Sequence, residues 1–150
     1  MDEKTLTYSN SPNLVTKENI FQGNSSYRIC VTATTLKGFS STTEYLFVTN
    51  SPPFGGICQV DVVEGDAWVT NFDFQCAGWI DHDLPLTYVF RYETSSDIEM
   101  VFKSGLDSRV KAKLPVGDPS NGYLLTVEIY ISDFLGSSTK RSMQVKVSVN

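Results

Sequence analysis

The segment CQVDVVEGDAWVTNFDFQCAGWIDHDLPLTY, residues 58–88, alternates apolar and polar side chains on either side of a short acidic break. Cys58, Val60 and Val62 share one parity. Trp68, Thr70, Phe72, Phe74 and Cys76 share another, with Val69, Asn71, Asp73 and Gln75 between them. A period of two is the signature of a half-buried strand. Glu64-Gly65-Asp66 reads as the turn joining two strands. Closing the hairpin there pairs residue 60 with 74 and 62 with 72, apolar side chains on one face. The same register sets Cys58 directly opposite Cys76. Directly opposed residues on one face stand at Cβ separations close to those of a disulfide. The register therefore predicts a Cys58–Cys76 bridge, and such a bridge contributes roughly 3 kcal/mol.

The alternation runs on. Leu86, Tyr88, Phe90 and Tyr92 share a face, as do Ile98, Met100 and Phe102, then Val110, Ala112 and Leu114. Tyr123, Leu125, Val127, Ile129 and Ile131 follow, and then Met143, Val145, Val147 and Val149. Turn residues separate the runs at Asp83-Leu84-Pro85, Ser104-Gly105, Pro119-Ser120-Asn121-Gly122 and Gly136. No helical period competes. Seven short alternating strands over residues 57–150 predict an all-β fold, an immunoglobulin-like or fibronectin type III-like β-sandwich.

Residues 1–49 echo the last two strands. YRICVTATTLKGFSS, from Tyr27, aligns with YLLTVEIYISDFLGSS, from Tyr123, each a strand, a turn at glycine and a second strand. Both tyrosines fall where such sandwiches place the tyrosine corner. Residues 14–21 read as the strand before. The first 49 residues are thus expected to be the incomplete C-terminal half of a similar sandwich. Unpaired strand edges would fray there without a neighbour. Residues 50–56, with Pro52-Pro53 and Gly55-Gly56, read as a short stiff linker.

Of the 150 residues, 41% are hydrophobic and 19% charged, which suits a folded chain. The net charge of −5 argues against nucleic acid, which demands a basic surface. No apolar run approaches the ~20 residues that cross a bilayer, and the start, MDEKTLTYSN, does not read as a signal peptide. Three cysteines and one histidine, His82, without a CxxC pair, cannot supply the ligands of a zinc site.

Residues Asn50-x-Pro52-Pro53-x-Gly55-Gly56-x-Cys58, Thr70, Phe72 and Cys76-x-Gly78-Trp79-x-Asp81-x-Asp83-x-Pro85-Leu86-x-Tyr88 resemble the receptor-for-egg-jelly (REJ) module of the polycystin-1 family. Val62-Val63 departs from the pattern, which carries a proline near that point. The resemblance implies a non-catalytic, extracellular piece of a large multi-span membrane protein. It would be a receptor or channel partner at the plasma or ciliary membrane. Its partners would be neighbouring ectodomain modules and, through the parent protein, a polycystin-2-type channel. The role implied is that of a rigid spacer.

Several residues carry two readings. Trp79 reads as a cover for the core end and the disulfide, with Tyr88, Tyr123 and Tyr27 as structural aromatics; stacking on a ligand is the other reading of Trp79. Asp81, Asp83 and Asp133 either hydrogen-bond their own turn amides or converge on Ca²⁺, which takes six to eight oxygens. The second alternative makes the chain a Ca²⁺-dependent adhesion or glycan-binding module. No other cofactor is indicated. Asp81 and Asp83 as a glycosidase pair sit two residues apart in one turn, so no enzyme is expected. Asn24-Ser25-Ser26 is a glycosylation sequon. Cys30, outward by parity, is either a free thiol or the orphan of an absent partner. Arg109, Lys111 and Lys113 form a basic stripe, read as a solvated face or as an anion-binding patch.

Overall fold

The computed structural model describes residues 4–94 and 98–149. The strands are β1 (Ser26–Thr34), β2 (Ser40–Val48), β3 (Ile57–Val60), β4 (Glu64–Asp66), β5 (Phe72–Ala77), β6 (Thr87–Glu93), β7 (Glu99–Gly105), β8 (Arg109–Ala112), β9 (Leu124–Ser132) and β10 (Ser138–Ser148). Among the described residues there is no α-helix, only one 3-10 turn at Pro119–Asn121. The chain divides into two compact units between Ser51 and Pro52.

The second unit is a β-sandwich. One sheet has the order β3-β5-β8 and the other β4-β10-β9-β6-β7. Alternation along each strand turns one face of each sheet inward. Phe72, Phe74, Cys76 and Leu114 meet Tyr88, Phe90, Leu125, Val127, Ile129, Ile131, Val145 and Val147 in one core. Burying each such side chain contributes ~1.5–3 kcal/mol. A bulge between Phe90 and Arg91 lets Phe102 of β7 reach this core. Its ring lies 5.9 Å from that of Phe74 and 6.2 Å from that of Phe90.

Three expectations about the opening segment are corrected. The ladder has Cys58 opposite Cys76 and Val60 opposite Phe74, but it stops there, and 62 does not pair with 72. The Asp61 carboxylate accepts from the N–H groups of Val62 and Asp73 and turns the chain out of the sheet. Glu64-Gly65-Asp66 is not the hairpin turn; it is β4, parallel to the end of β10. The strand read from Trp68 begins only at Phe72, because Asp66 and Thr70 close a tight turn between them. Among the described residues the unit thus has eight strands where the alternation predicts seven.

The first unit is built on the β1–β2 hairpin. Residues 14–21 form no strand; among the described residues, Thr5 and Thr16 make an isolated bridge, flanked by the bonds Leu6 N–H to Val15 carbonyl and Lys17 N–H to Lys4 carbonyl. The hairpin duplicates β9–β10 residue for residue. Adding 98 to each number converts Tyr27↔Phe47 into Leu125↔Val145 and Thr34↔Ser40 into Ser132↔Ser138. The turns match too. Thr35 N–H donates to Phe39 carbonyl and Asp133 N–H to Ser137 carbonyl, at 2.8 and 3.0 Å. In each turn the first side chain accepts from the last N–H, Thr35 Oγ1 from Phe39 and Asp133 Oδ1 from Ser137. Gly38 and Gly136 both take positive φ, 87° and 96°. Tyr27 therefore corresponds to Leu125, not to Tyr123, which lies outside β9. The difference is burial. Val31 is 57% exposed, whereas its counterpart Ile129 is wholly buried.

Candidate functional site

The loop from β5 to β6 and the turn from β9 to β10 meet at one end of the sandwich. They bring Asp81, Asp83 and Asp133 together, with one carboxylate oxygen of each within 4.8 Å of the others. Asp133 is buried and the other two half-buried. The Asp81 carboxylate accepts from Asp83 N–H at 2.8 Å, and that of Asp133 from Ser137 N–H at 2.9 Å. Asp83 carbonyl accepts from Phe134 N–H at 2.8 Å, tying the two loops together. Two of the three carboxylates thus already serve turns. Chemically, the trio offers negative oxygens to a hard cation. His82, between two of them in sequence, points to solvent.

Trp79 stands next to this cluster. Past Gly78, at φ 74°, the chain runs on in the register of the β3–β5 ladder, with Phe54 opposite Ile80. The indole packs half-buried against the core, with the Arg141 guanidinium 4.9 Å above its ring. Gly56 passes so close that a Cβ there would come within 2.4 Å of the ring. The indole Nε1 is buried without a hydrogen-bond partner among the described residues. Cys58 and Cys76 are bridged, with Cα atoms 4.1 Å apart.

Tyr88 is buried in the core. Tyr123 is half-buried and left-handed at φ 64°, just before β9. Its carbonyl accepts from Val147 N–H. Tyr27, half-buried, accepts from Gln22 N–H at its hydroxyl, 2.7 Å, and its ring meets those of Phe21 and Phe47. A tyrosine hydroxyl bonded to backbone a few residues upstream is the geometry of a tyrosine corner. Asn24 is exposed at φ 52°, and Cys30 is exposed with its thiol 3.7 Å from Glu44.

The basic stripe is largely answered from across the sheet. Arg109 forks onto Asp73, and Lys111 stands 3.7 Å from the same carboxylate. The Arg109 bond holds the Asp73 carboxyl below its ordinary value, against the burial that would raise it.

Periodicity had no signal for a second charged group. On the outer face of the five-stranded sheet, Glu128 is 9% exposed and bonded to Lys140 and Arg91. Arg91 also reaches Glu99 and lies 4.4 Å over the Tyr130 ring. The Lys140 bond most of all holds the Glu128 carboxyl below its ordinary range; burial opposes it and Arg91 adds to it. The four strands involved, β6, β7, β9 and β10, are neighbours only once the strand order is known.

A family model described as "REJ domain" matches residues 1–150. The chain is 26% identical over 159 residues to the mouse "Polycystin family receptor for egg jelly", covering 97% of this chain and 8% of that protein. It is 26% identical over 125 residues to "Polycystin-1-like protein 1" of Oryzias latipes, covering 83% of this chain and 4% of that protein. The chain thus spans less than a tenth of the length of either relative. A Cys-bridged pair of strands, a half-buried Trp79 and a family match over residues 1–150 agree: this chain belongs to the REJ domain family.

Proposed function

We propose that the chain is a non-catalytic extracellular module of a polycystin-1-like membrane receptor or channel partner. It works as a rigid spacer and as a contact surface between ectodomain modules. The observation that carries this reading is the disulfide-bridged sandwich, because such bridges persist in oxidising compartments. The names of the relatives support the receptor context. Residues 1–49 supply the closing hairpin of a preceding sandwich of the same type, a reading supported by the shared register of β1–β2 and β9–β10. Residues 50–56 link it to the sandwich of residues 57–150, of immunoglobulin or fibronectin type III kind. Asn24, exposed at the foot of β1, carries an N-glycan. A polycystin-2-type channel is reached through the parent protein.

The test is an intact-mass thiol count on secreted protein, alkylated while denatured and unreduced. One label, on Cys30, is the expected result. Three labels would remove the oxidising compartment and the extracellular reading with it. Asn24→Gln should delete the glycan mass from the same sample.

A second reading is favoured by the convergence of Asp81, Asp83 and Asp133 within 4.8 Å. It makes the module Ca²⁺-dependent, for adhesion or glycan binding. A ligand that binds only the folded form raises the melting temperature. Millimolar calcium should do so, and Asp133→Asn should abolish the rise; an unchanged melting curve sinks this reading.

A further inference from the structure

In the turn between β4 and β5, Trp68 holds a left-handed backbone at φ 60° while 61% of it stays exposed. Positive φ in a bulky residue costs ~1–3 kcal/mol and persists only where the surroundings impose it. Here they do. Asp66 carbonyl accepts from Val69 and Thr70 N–H, and Thr70 hydroxyl accepts from Asp66 N–H. Gly65 sits so close to Thr70 that a Cβ would fall 2.6 Å from its side chain. Trp68 N–H donates to Leu114 carbonyl at 3.0 Å. The turn is thus held by its own hydrogen bonds, yet the indole stays largely exposed, as does Val69 at 58%.

The same turn is bonded to the last strand. Ala67 N–H donates to Ser148 carbonyl at 2.8 Å, next to the β4–β10 ladder. Gly117 N–H donates to Val147 carbonyl, which brings Val116 alongside. Val149, 64% exposed, follows at once. Trp68, Val69, Val116 and Val149 therefore rim the point where the polypeptide leaves β10.

We propose that this rim is the docking surface for the module that follows the sandwich in the parent polypeptide, with Trp68 as its anchor. The inference deepens the contact role proposed above and rests on it. A following module is tethered within reach of the rim, so its effective concentration is high without any further attraction. The relatives, of which this chain covers 8% and 4%, have ample length for one. Tryptophan is the residue type most enriched at binding hot spots, and a pre-set turn removes the ordering cost of presenting it.

The test compares this 150-residue chain with one extended through the next module of the parent protein, both labelled with 5-fluorotryptophan. Trp68→Phe assigns the two fluorine signals. The Trp68 signal should show a full solvent isotope shift in the short chain and lose it in the long one. Trp68→Ser should lower the melting temperature of the long chain by several degrees and leave the short chain within a degree. An unchanged isotope shift in the long chain overturns the proposal. So does loss of the shift in the short chain as its concentration rises, which would make the occupant a second copy. If Trp68→Ser unfolds the short chain, the residue is structural and the proposal fails. The thiol count is independent of all three, so failure of the extracellular reading is separately visible.

Discussion

Gly56 and Trp79 illustrate how little room a single position has. The glycine is buried against the indole, and the missing Cβ is what lets the entering chain pass. Gly56→Ala forces either the ring or the backbone to move, and overpacking of this kind costs ~1–3 kcal/mol. Thermal melting should fall by roughly 4–8 °C for each kcal/mol lost in a domain of this size. Glu128 makes a different prediction, tied to pH. Its carboxyl is held below the ordinary value of 4.5 in the folded state. Its stabilisation is therefore complete above that value and is lost as pH falls below it through the lowered folded value. Glu128→Gln should cost roughly 1.5 kcal/mol at neutral pH, the low end for a charged hydrogen bond, because Lys140 is half exposed. The variant should also lose less stability than the natural chain between pH 6 and pH 3. An acid limb identical in both proteins would refute the assignment.

At the scale of elements, the pairing of β3 with β5 is short and needs its bridge. The ladder between β3 and β5 has only four paired positions, with Cys58–Cys76 among them. Replacing both cysteines by alanine should cost about 3 kcal/mol, given an 18-residue separation and the loop-closure entropy it confers on the unfolded chain. Urea midpoints at equal slope would measure it. The chain between those strands does not simply turn. It leaves the small sheet at Asp61, crosses to pair as β4 with β10, and returns as β5. One edge of each sheet is thereby served by the same connection, which helps blunt a free strand edge.

For the whole molecule, two hairpins of identical register differ in what covers them. Leu125, Val127, Ile129 and Ile131 lie beneath the three-stranded sheet and are all but inaccessible. The matching face of β1–β2 leaves Val31 and Tyr45 largely open, and Phe21, Tyr27 and Phe47 cluster on one another instead. Amide protection follows the free energy of opening, and burial sets most of that energy. Amides of β1 and β2 should exchange orders of magnitude faster than those of β9 and β10 in the 150-residue chain. Equal protection would mean that backbone pairing, not cover, decides their stability.

Sequence by itself determined the all-β class, the positions of most strands and the Cys58–Cys76 register. These depend on side-chain alternation, a local property that needs no knowledge of strand order. It also singled out Trp79 and the three aspartates, because Gly, Pro and Asp at turns are constrained by their own backbone. Tertiary structure alone decided the rest. Val62 was given the inward parity of a longer strand, yet Asp61 ends the ladder one residue earlier. Gly65 was read as a turn residue, yet it lies in a three-residue strand stabilised by a partner more than 80 positions away. Glu128 sits at an outward position where charge is expected, and only the order β10-β9-β6 sets Lys140 and Arg91 on either side of it. Those outcomes depend on pairings between distant segments. Alternation can say which face a residue occupies, but only the assembled sheets set what stands opposite it.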